Sequence, residues 1–362
     1  MANKGKKLFL FLASLVLGFF LFVSAFQQVG VSEIMETLST FSREALVVVC
    51  FLNFFAVFII GSLRWQMILR SQGCRIKFFK VLRAKMAGFT VSYITPSVLV
   101  GGEPVRAYMI KEESNCSWER SLASVVVDQA IFLAALFLSV LIGFAYLLEH
   151  FSLPQEVLYS FMAVFFFSCS IFYLFYKKII TKGEDEQAFF TFLIHRINLD
   201  RIKFVKSKMK SIQETELDVE RFFKGDKKYF LLVVSLGLLE AFCYLLVVSL
   251  ICFYLGVNLG IFRSAGIFSL VTLANLVPIP GSLGSFEVAL TFAFYLLGIG
   301  KDAGLAFSLI FRFINIMLCL VGFFAILHFT IITMKHRVSF ETPPIFAKLH
   351  RFFINFVPKD WR

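Results

Sequence analysis

Charge is scarce in this 362-residue chain, with Asp, Glu, Lys and Arg together at 17%, against about 25% in a soluble domain. A disordered chain needs the opposite balance, high charge with low hydrophobicity, and is excluded. Catalytic signatures are missing too. His150, His195, His328, His336 and His350 form no H-E-x-x-H and no pair at metal-ligand spacing. There is no P-loop, which argues against ATP hydrolysis by this chain, and no G-x-S-x-G nucleophile elbow. No zinc-finger spacing accompanies the basic residues. The seven cysteines (Cys50, Cys74, Cys116, Cys169, Cys243, Cys252, Cys319) contain no C-x-x-C, and five sit inside apolar runs. They read as small apolar fillers, neither disulfides nor metal ligands. A secreted disulfide scaffold is thereby excluded.

What is present is apolar surface. Hydrophobic residues make up 59% and the mean hydropathy is +0.81. A water-soluble globule of this composition would expose large apolar patches, so a cytosolic enzyme is excluded. The chain reads as an all-α polytopic membrane protein. Its net charge is +12, from 36 Lys+Arg against 24 Asp+Glu. The basic residues cluster in short loops between apolar runs, where they report topology and contact with anionic headgroups. No nucleic-acid partner is expected.

A membrane span needs about 20 mostly apolar residues. Six stretches qualify: Leu8–Phe26, Ala45–Leu69, Leu122–Leu148, Val157–Tyr176, Tyr229–Leu255 and Leu305–Met334. Leu8–Phe26 exceeds the core of a signal peptide and reads as a retained first span. Arg64-Trp65 is expected at a membrane interface, where Arg snorkels and Trp prefers to sit. Two further apolar stretches, Phe78–Ile110 and Ser264–Gly300, are broken by Gly, Pro and charge, and neither can be one straight helix.

Loop charge sets the orientation. The N-terminus is basic, the loop with Glu33, Glu36 and Glu44 acidic, and the loop from Arg70 to Lys85 strongly basic. Glu149 and Glu156 follow outside, the Lys-rich 177–228 segment inside, and Lys335-His336-Arg337 inside. Both termini are therefore expected in the cytoplasm. By this parity Phe78–Ile110 enters and leaves on the inner side and Ser264–Gly300 on the outer side. The chain then divides into a first repeat, 1–150, and an inverted second repeat, 151–334. The expected fold is six full spans plus two oppositely oriented re-entrant helical hairpins. Pro96 and Glu103 enclose Gly101-Gly102, as Pro280 and Glu287 enclose Gly281 and Gly284 at the same spacing.

Segment 177–228 reads as a cytoplasmic amphipathic insert, with Ile202, Val205, Met209, Ile212, Val219 and Phe223 at helical spacing. It would lie on the cytoplasmic leaflet or pack on a partner. Residues 335–362 repeat the pattern as a basic amphipathic tail, with Ile345, Leu349, Phe352 and Phe356 beside Lys348 and Arg351.

Ionisable residues inside a membrane are costly and point to function. Glu103 and Arg106 either pair on one helical turn or flank a helix N-terminus, opened by Gly101-Gly102, that faces an anion. Arg106 would then add a bidentate phosphate contact. Glu287, after Pro280, Gly281 and Gly284, is either a capping carboxylate or a site residue. Arg312 has no acid one turn away, so Glu287, Asp128 or a substrate phosphate must balance it. Glu240 is either a proton relay or a neutral, hydrogen-bonded acid. Asp128 reads as structural.

At these positions the chain resembles a known group. Thr95-Pro96, Gly101-Gly102-Glu103-Pro104-x-Arg106 and Pro278-Ile279-Pro280-Gly281-x-x-Gly284-x-x-Glu287 resemble the paired signatures of the lysylphosphatidylglycerol synthase/flippase transmembrane family. Arg64-Trp65 resembles its early Arg-Trp, and the resemblance spans most of Leu8–Met334. It implies two re-entrant hairpins and movement of lipid headgroups between leaflets. The lipids it implies are anionic or aminoacylated phospholipids, hopanoids or polyprenyl-linked sugars. The chain departs from the pattern at Asp128-Gln129, where the family often has Glu-Arg. It also shows no soluble aminoacyl-transferase domain after Met334, so lipid synthesis is not implied.

The expectation is an ATP-independent lipid flippase of a bacterial cytoplasmic membrane, not an enzyme, with no cofactor and no metal. Amides of Gly101, Gly102, Gly281 and Gly284, with Arg106 and Arg312, would hold the lipid phosphate. Glu103 and Glu287 would bind a cationic headgroup, gate the cavity or carry a proton. Two other readings compete: a membrane transferase using Glu103 or Glu287 as base, and a non-catalytic partner recruiting a separate lipid synthase through 177–228. A homo-oligomer is compatible with each.

Overall fold

The computed structural model describes residues 31–95, 101–180, 188–199, 203–274, 279 and 282–335, with 23, 24 and 27. Among them every regular element is helical. Among the described residues five helices are long and apolar enough to cross a membrane. After the short α1 (Val31–Ser39), these are α2 (Arg43–Ser71), α5 (Trp118–His150), α6 (Gln155–Ile179), α10 (Lys227–Tyr254) and the part Lys301–Thr330 of α13 (Lys301–Lys335). They coincide with five of the six expected spans. Three of them, α2, α5 and α10, begin before their apolar runs because polar caps start them: Ser42 accepts from the Ala45 amide, Ser117 from Arg120 and Asp226 from Lys228. The remaining expected span, Leu8–Phe26, and the tail after Lys335 lie outside the described residues.

Each broken stretch forms two short helices. Phe78–Ile110 becomes α3 (Phe78–Ile94) and α4 (Glu103–Glu113). Ser264–Gly300 becomes α11 (Ile261–Ala274) and α12 (Ser285–Leu296). Glycine makes the first pair possible: a Cβ on Gly102 would overlap the backbone of Gly88, so α3 and α4 cross with their main chains touching. Extensive contacts then run between the halves. α11 lies on α5, α13 lies on α3, and α10 lies on α2. Gly143 on α5 admits the backbone of Ala265, and Gly322 on α13 admits that of Met86. The largest apolar core joins α5, α10, α11, α12 and α13, from Leu147 and Val247 to Leu290, Phe294 and Phe307. By contrast α6 buries only Phe161 and, at its end, Ile179, and turns Phe166, Phe167 and Tyr173 outward.

Two expectations need correction here. Cys74 and Cys116 form a disulfide, with Cα atoms 5.7 Å apart, although they were expected as fillers. They stand 42 residues apart in sequence and come together because α3 and α4 fold back on each other, which a C-x-x-C rule does not detect. Arg83 bonds Glu113 and Lys80 donates to the Glu113 carbonyl at 2.9 Å, fastening the same base. The insert, expected to hold an amphipathic helix on the leaflet or on a partner, turns that helix onto its own chain instead. It contains α7 (Phe189–Arg196), α8 (Lys203–Ser207) and α9 (Met209–Lys224), and α9 packs on α5 of this same chain. Val219 and Phe222 join a core with Ile68, Ala123 and Val127. Glu216 ties α9 to α7 by accepting from the amides of Phe190 and Thr191 and from the Thr191 hydroxyl.

Candidate functional site

A cavity of about 280 Å³ lies between the two halves. Its wall is mostly aromatic and aliphatic, with Phe89, Phe132, Tyr244, Phe268, Phe286, Phe307 and Phe311 among the lining. Two groups of charged residues reach it, one built around Asp128 and one around Glu287.

Asp128 is fully buried on α5 and is the hub of the first group. Its Oδ1 accepts from Arg64 Nε at 2.7 Å. Its Oδ2 accepts from Lys85 Nζ at 3.0 Å and from Arg106. Arg64 also bonds Glu240 of α10. Three helices, α2, α3 and α4, thus send cationic side chains to one carboxylate on α5, and α10 joins through Arg64. The Arg106 guanidinium lies 4.3 Å over the Trp65 ring, whose indole donates to Ser124 at 3.0 Å. Arg64 lies 5.3 Å over Phe132. Burying charges this deeply costs several kcal/mol per ion, so the group persists only because each charge has partners.

This arrangement overturns the interfacial placement of Arg64-Trp65, since both are completely buried. Their attraction to Asp128, Glu240 and Ser124 outweighs an interface preference that would leave those groups unpaired. Arg106 bonds Asp128 on the next helix, so the expected one-turn pair with Glu103 is not its salt bridge. Glu103 lines the cavity beside it, and Glu103 Oε2 is buried without a hydrogen-bond partner.

In the second group, Glu287 is fully buried. It caps α12 by accepting from the Gly284 amide at 2.7 Å and accepts from Arg312 Nε at 2.6 Å. Both expected roles, cap and partner of Arg312, are present together. Arg312 donates as well to the Ser282 carbonyl at 3.3 Å. Gly284 has φ +79, a left-handed conformation in which a Cβ would be strained. Arg312, Asn315, Tyr93 and Ser282 line the cavity. From Lys85 to Tyr93 along α3 is about 12 Å at 1.5 Å per residue.

Two of the four glycine amides expected to hold a phosphate are engaged within the chain. Gly102 donates its N–H to Ser92 Oγ at 2.8 Å, and the Gly284 N–H is held by Glu287. Neither amide is open to a phosphate. Gly101 packs its backbone against Thr95 and Ser92, so close approach explains it. Pro96, Pro280 and Gly281 lie outside the described residues. Glu240, expected as a relay or a neutral acid, lines the cavity and accepts from Arg64.

Sequence reading missed the weight of Asp128, Arg64 and Lys85. One signal for Asp128 is visible in the sequence. Asp128 follows Glu103 at the spacing, 25 residues, by which Arg312 follows Glu287. The two helix pairs therefore place their next-span charges at matching positions, with opposite sign.

Residues 10–322 match the family model described as the lysylphosphatidylglycerol synthase TM region. A "UPF0104 membrane protein" of Methanothermobacter thermautotrophicus is 25% identical over 289 residues, covering 76% of this chain and 82% of the relative. One from Methanocaldococcus jannaschii is 23% identical over 321 residues, covering 86% and 93%. A third, from Pyrococcus horikoshii, is 28% identical over 91 residues, covering 25% and 27%. All three are archaeal, and none supports the expectation of a bacterial membrane.

Proposed function

The chain belongs to the lysylphosphatidylglycerol synthase TM-region family, and from that premise we propose that it is an ATP-independent lipid flippase. It passes a phospholipid or polyprenyl-type headgroup between leaflets through the cavity between its halves. One observation carries this reading: an apolar, aromatic cavity is reached by buried charges from both short-helix pairs. An acyl chain suits the wall and a polar headgroup suits the charges.

The packing supports an inverted repeat with re-entrant hairpins. The last span of each half lies on the first short helix of the other, α5 on α11 and α13 on α3, while α2 meets its counterpart α10. With 11 and 12 residues, α4 and α12 are about 16 and 18 Å long, short of the roughly 30 Å hydrocarbon core. Loop charge favours cytoplasmic termini. The apolar face of α9 is engaged on α5, which weighs against a recruiting role for the insert.

Photo-crosslinking tests the path. A phospholipid carrying a diazirine at its chain end, reconstituted with the protein and irradiated, should label peptides containing Phe89, Phe268 or Phe311. Labelling confined to the outward face of α6 would contradict the reading, because that face meets bulk lipid in any case.

A further inference from the structure

Glu103 and Glu287 open the second helix of their respective pairs, yet their carboxylates are satisfied differently. Glu287 uses both oxygens, one on the Gly284 amide and one on Arg312. The arginine has no equivalent at Glu103. Ser92 takes the Gly102 amide, and the position 25 residues on holds Asp128 instead of an arginine. Glu103 Oε2 is left buried against the cavity with no donor. One turn along α4, Arg106 is 4% exposed, lines the same cavity, and has an Nε with no acceptor. A buried acceptor and a buried donor thus stand together, about 5–6 Å apart at Cβ, each costly to leave unmatched.

Charge decides what satisfies both. In their ionised forms Arg64, Lys85 and Arg106 balance Asp128, Glu240 and Glu103. A ligand with net charge would unbalance a group held in low dielectric, where isolated charge is expensive. A neutral ligand carrying both signs does not.

We infer, resting on the lipid-carrier reading above, that this end of the cavity selects a zwitterionic lipid headgroup with one phosphodiester and one N–H-bearing ammonium. The phosphodiester accepts from Arg106 Nε and the ammonium donates to Glu103 Oε2. Glu287, with both oxygens engaged, holds α12 to α13 and takes no part in selection. A quaternary ammonium has the same charge but no N–H to give, and an anionic glycerol headgroup lacks the positive charge.

The test uses the full chain in vesicles without nucleotide and lipids with a fluorophore on one acyl chain, following headgroup movement by dithionite bleaching. Three probes are compared: phosphatidylethanolamine, phosphatidylcholine and phosphatidylglycerol. Movement of phosphatidylethanolamine should exceed that of the other two by about tenfold or more, the size of a lost charged hydrogen bond. Glu103→Gln should erase that preference. Should Glu103→Gln fail to fold, the wild-type ranking and Glu103→Asp, which keeps the charge, decide the matter. Equal movement of phosphatidylcholine, faster movement of phosphatidylglycerol, or a preference that survives Glu103→Gln would overturn the inference while leaving the carrier reading intact. If no lipid moves, both are overturned.

Discussion

Arg312 Nε stands 2.6 Å from Glu287 Oε1, joining the last span to the short helix α12 at a point where the carboxylate is fully buried. Breaking one side of such a pair leaves the other charge buried alone, at a cost of about 3–5 kcal/mol. Arg312→Met should therefore lower the thermal midpoint in detergent strongly. The double variant Arg312→Met/Glu287→Leu should recover much of the loss, because two apolar side chains leave no stranded charge. A double variant as unstable as the sum of the singles would show that the two residues do not act as a pair.

Among the described residues Asp128 bonds three cationic side chains, whereas Glu240 has one ion-pair partner, Arg64. Asp128→Asn should consequently destabilise more than Glu240→Gln, by at least about 2 kcal/mol. Thermal unfolding followed through Trp65, which lies under Arg106, reads both. Equal loss in the two variants would contradict the hub role of Asp128.

The crossing of α3 and α4 predicts a sharp contrast among glycines. Gly102→Ala must push the helices apart, because its Cβ would overlap the Gly88 backbone. A loss of about 1–3 kcal/mol or more is expected, the cost of overpacking. Gly260→Ala meets nothing within 4 Å and should stay within about 0.5 kcal/mol of the parent. Comparing apparent stability by chromatography after heating distinguishes them.

The Cys74–Cys116 disulfide closes a chain segment that contains both α3 and α4. Cys74→Ser/Cys116→Ser should cost about 2–4 kcal/mol, and reductant should lower the parent to the same level. A parent indifferent to reductant would contradict a closed disulfide.

Much of the fold was legible because hydropathy is a one-dimensional property. Apolar runs and their flanking charges gave five spans within a few residues, and Gly and Pro marked the two stretches that break. Pairing was not legible. Arg64 and Trp65 carry the composition of an interface, and nothing local reveals that Asp128 and Glu240 wait on other helices. Likewise Gly101-Gly102 has the composition of an anion-binding turn. Ser92, ten residues upstream, takes the amide only because α3 folds back. Cys74 and Cys116 meet for the same reason. The spacing that relates Asp128 to Arg312 was present in the sequence, but it becomes meaningful once Glu287 is seen bonded to Arg312.

The central claim is that lipid crosses through the cavity between the halves. The most direct measurement is dithionite bleaching of acyl-labelled phospholipid in nucleotide-free vesicles, comparing the parent with Thr272→Trp, which fills the cavity from α11, and Val47→Trp, on the exposed face of α2. The account predicts movement with the parent and Val47→Trp and a loss of about tenfold or more with Thr272→Trp. Equal rates for all three, or none above protein-free vesicles, would contradict it.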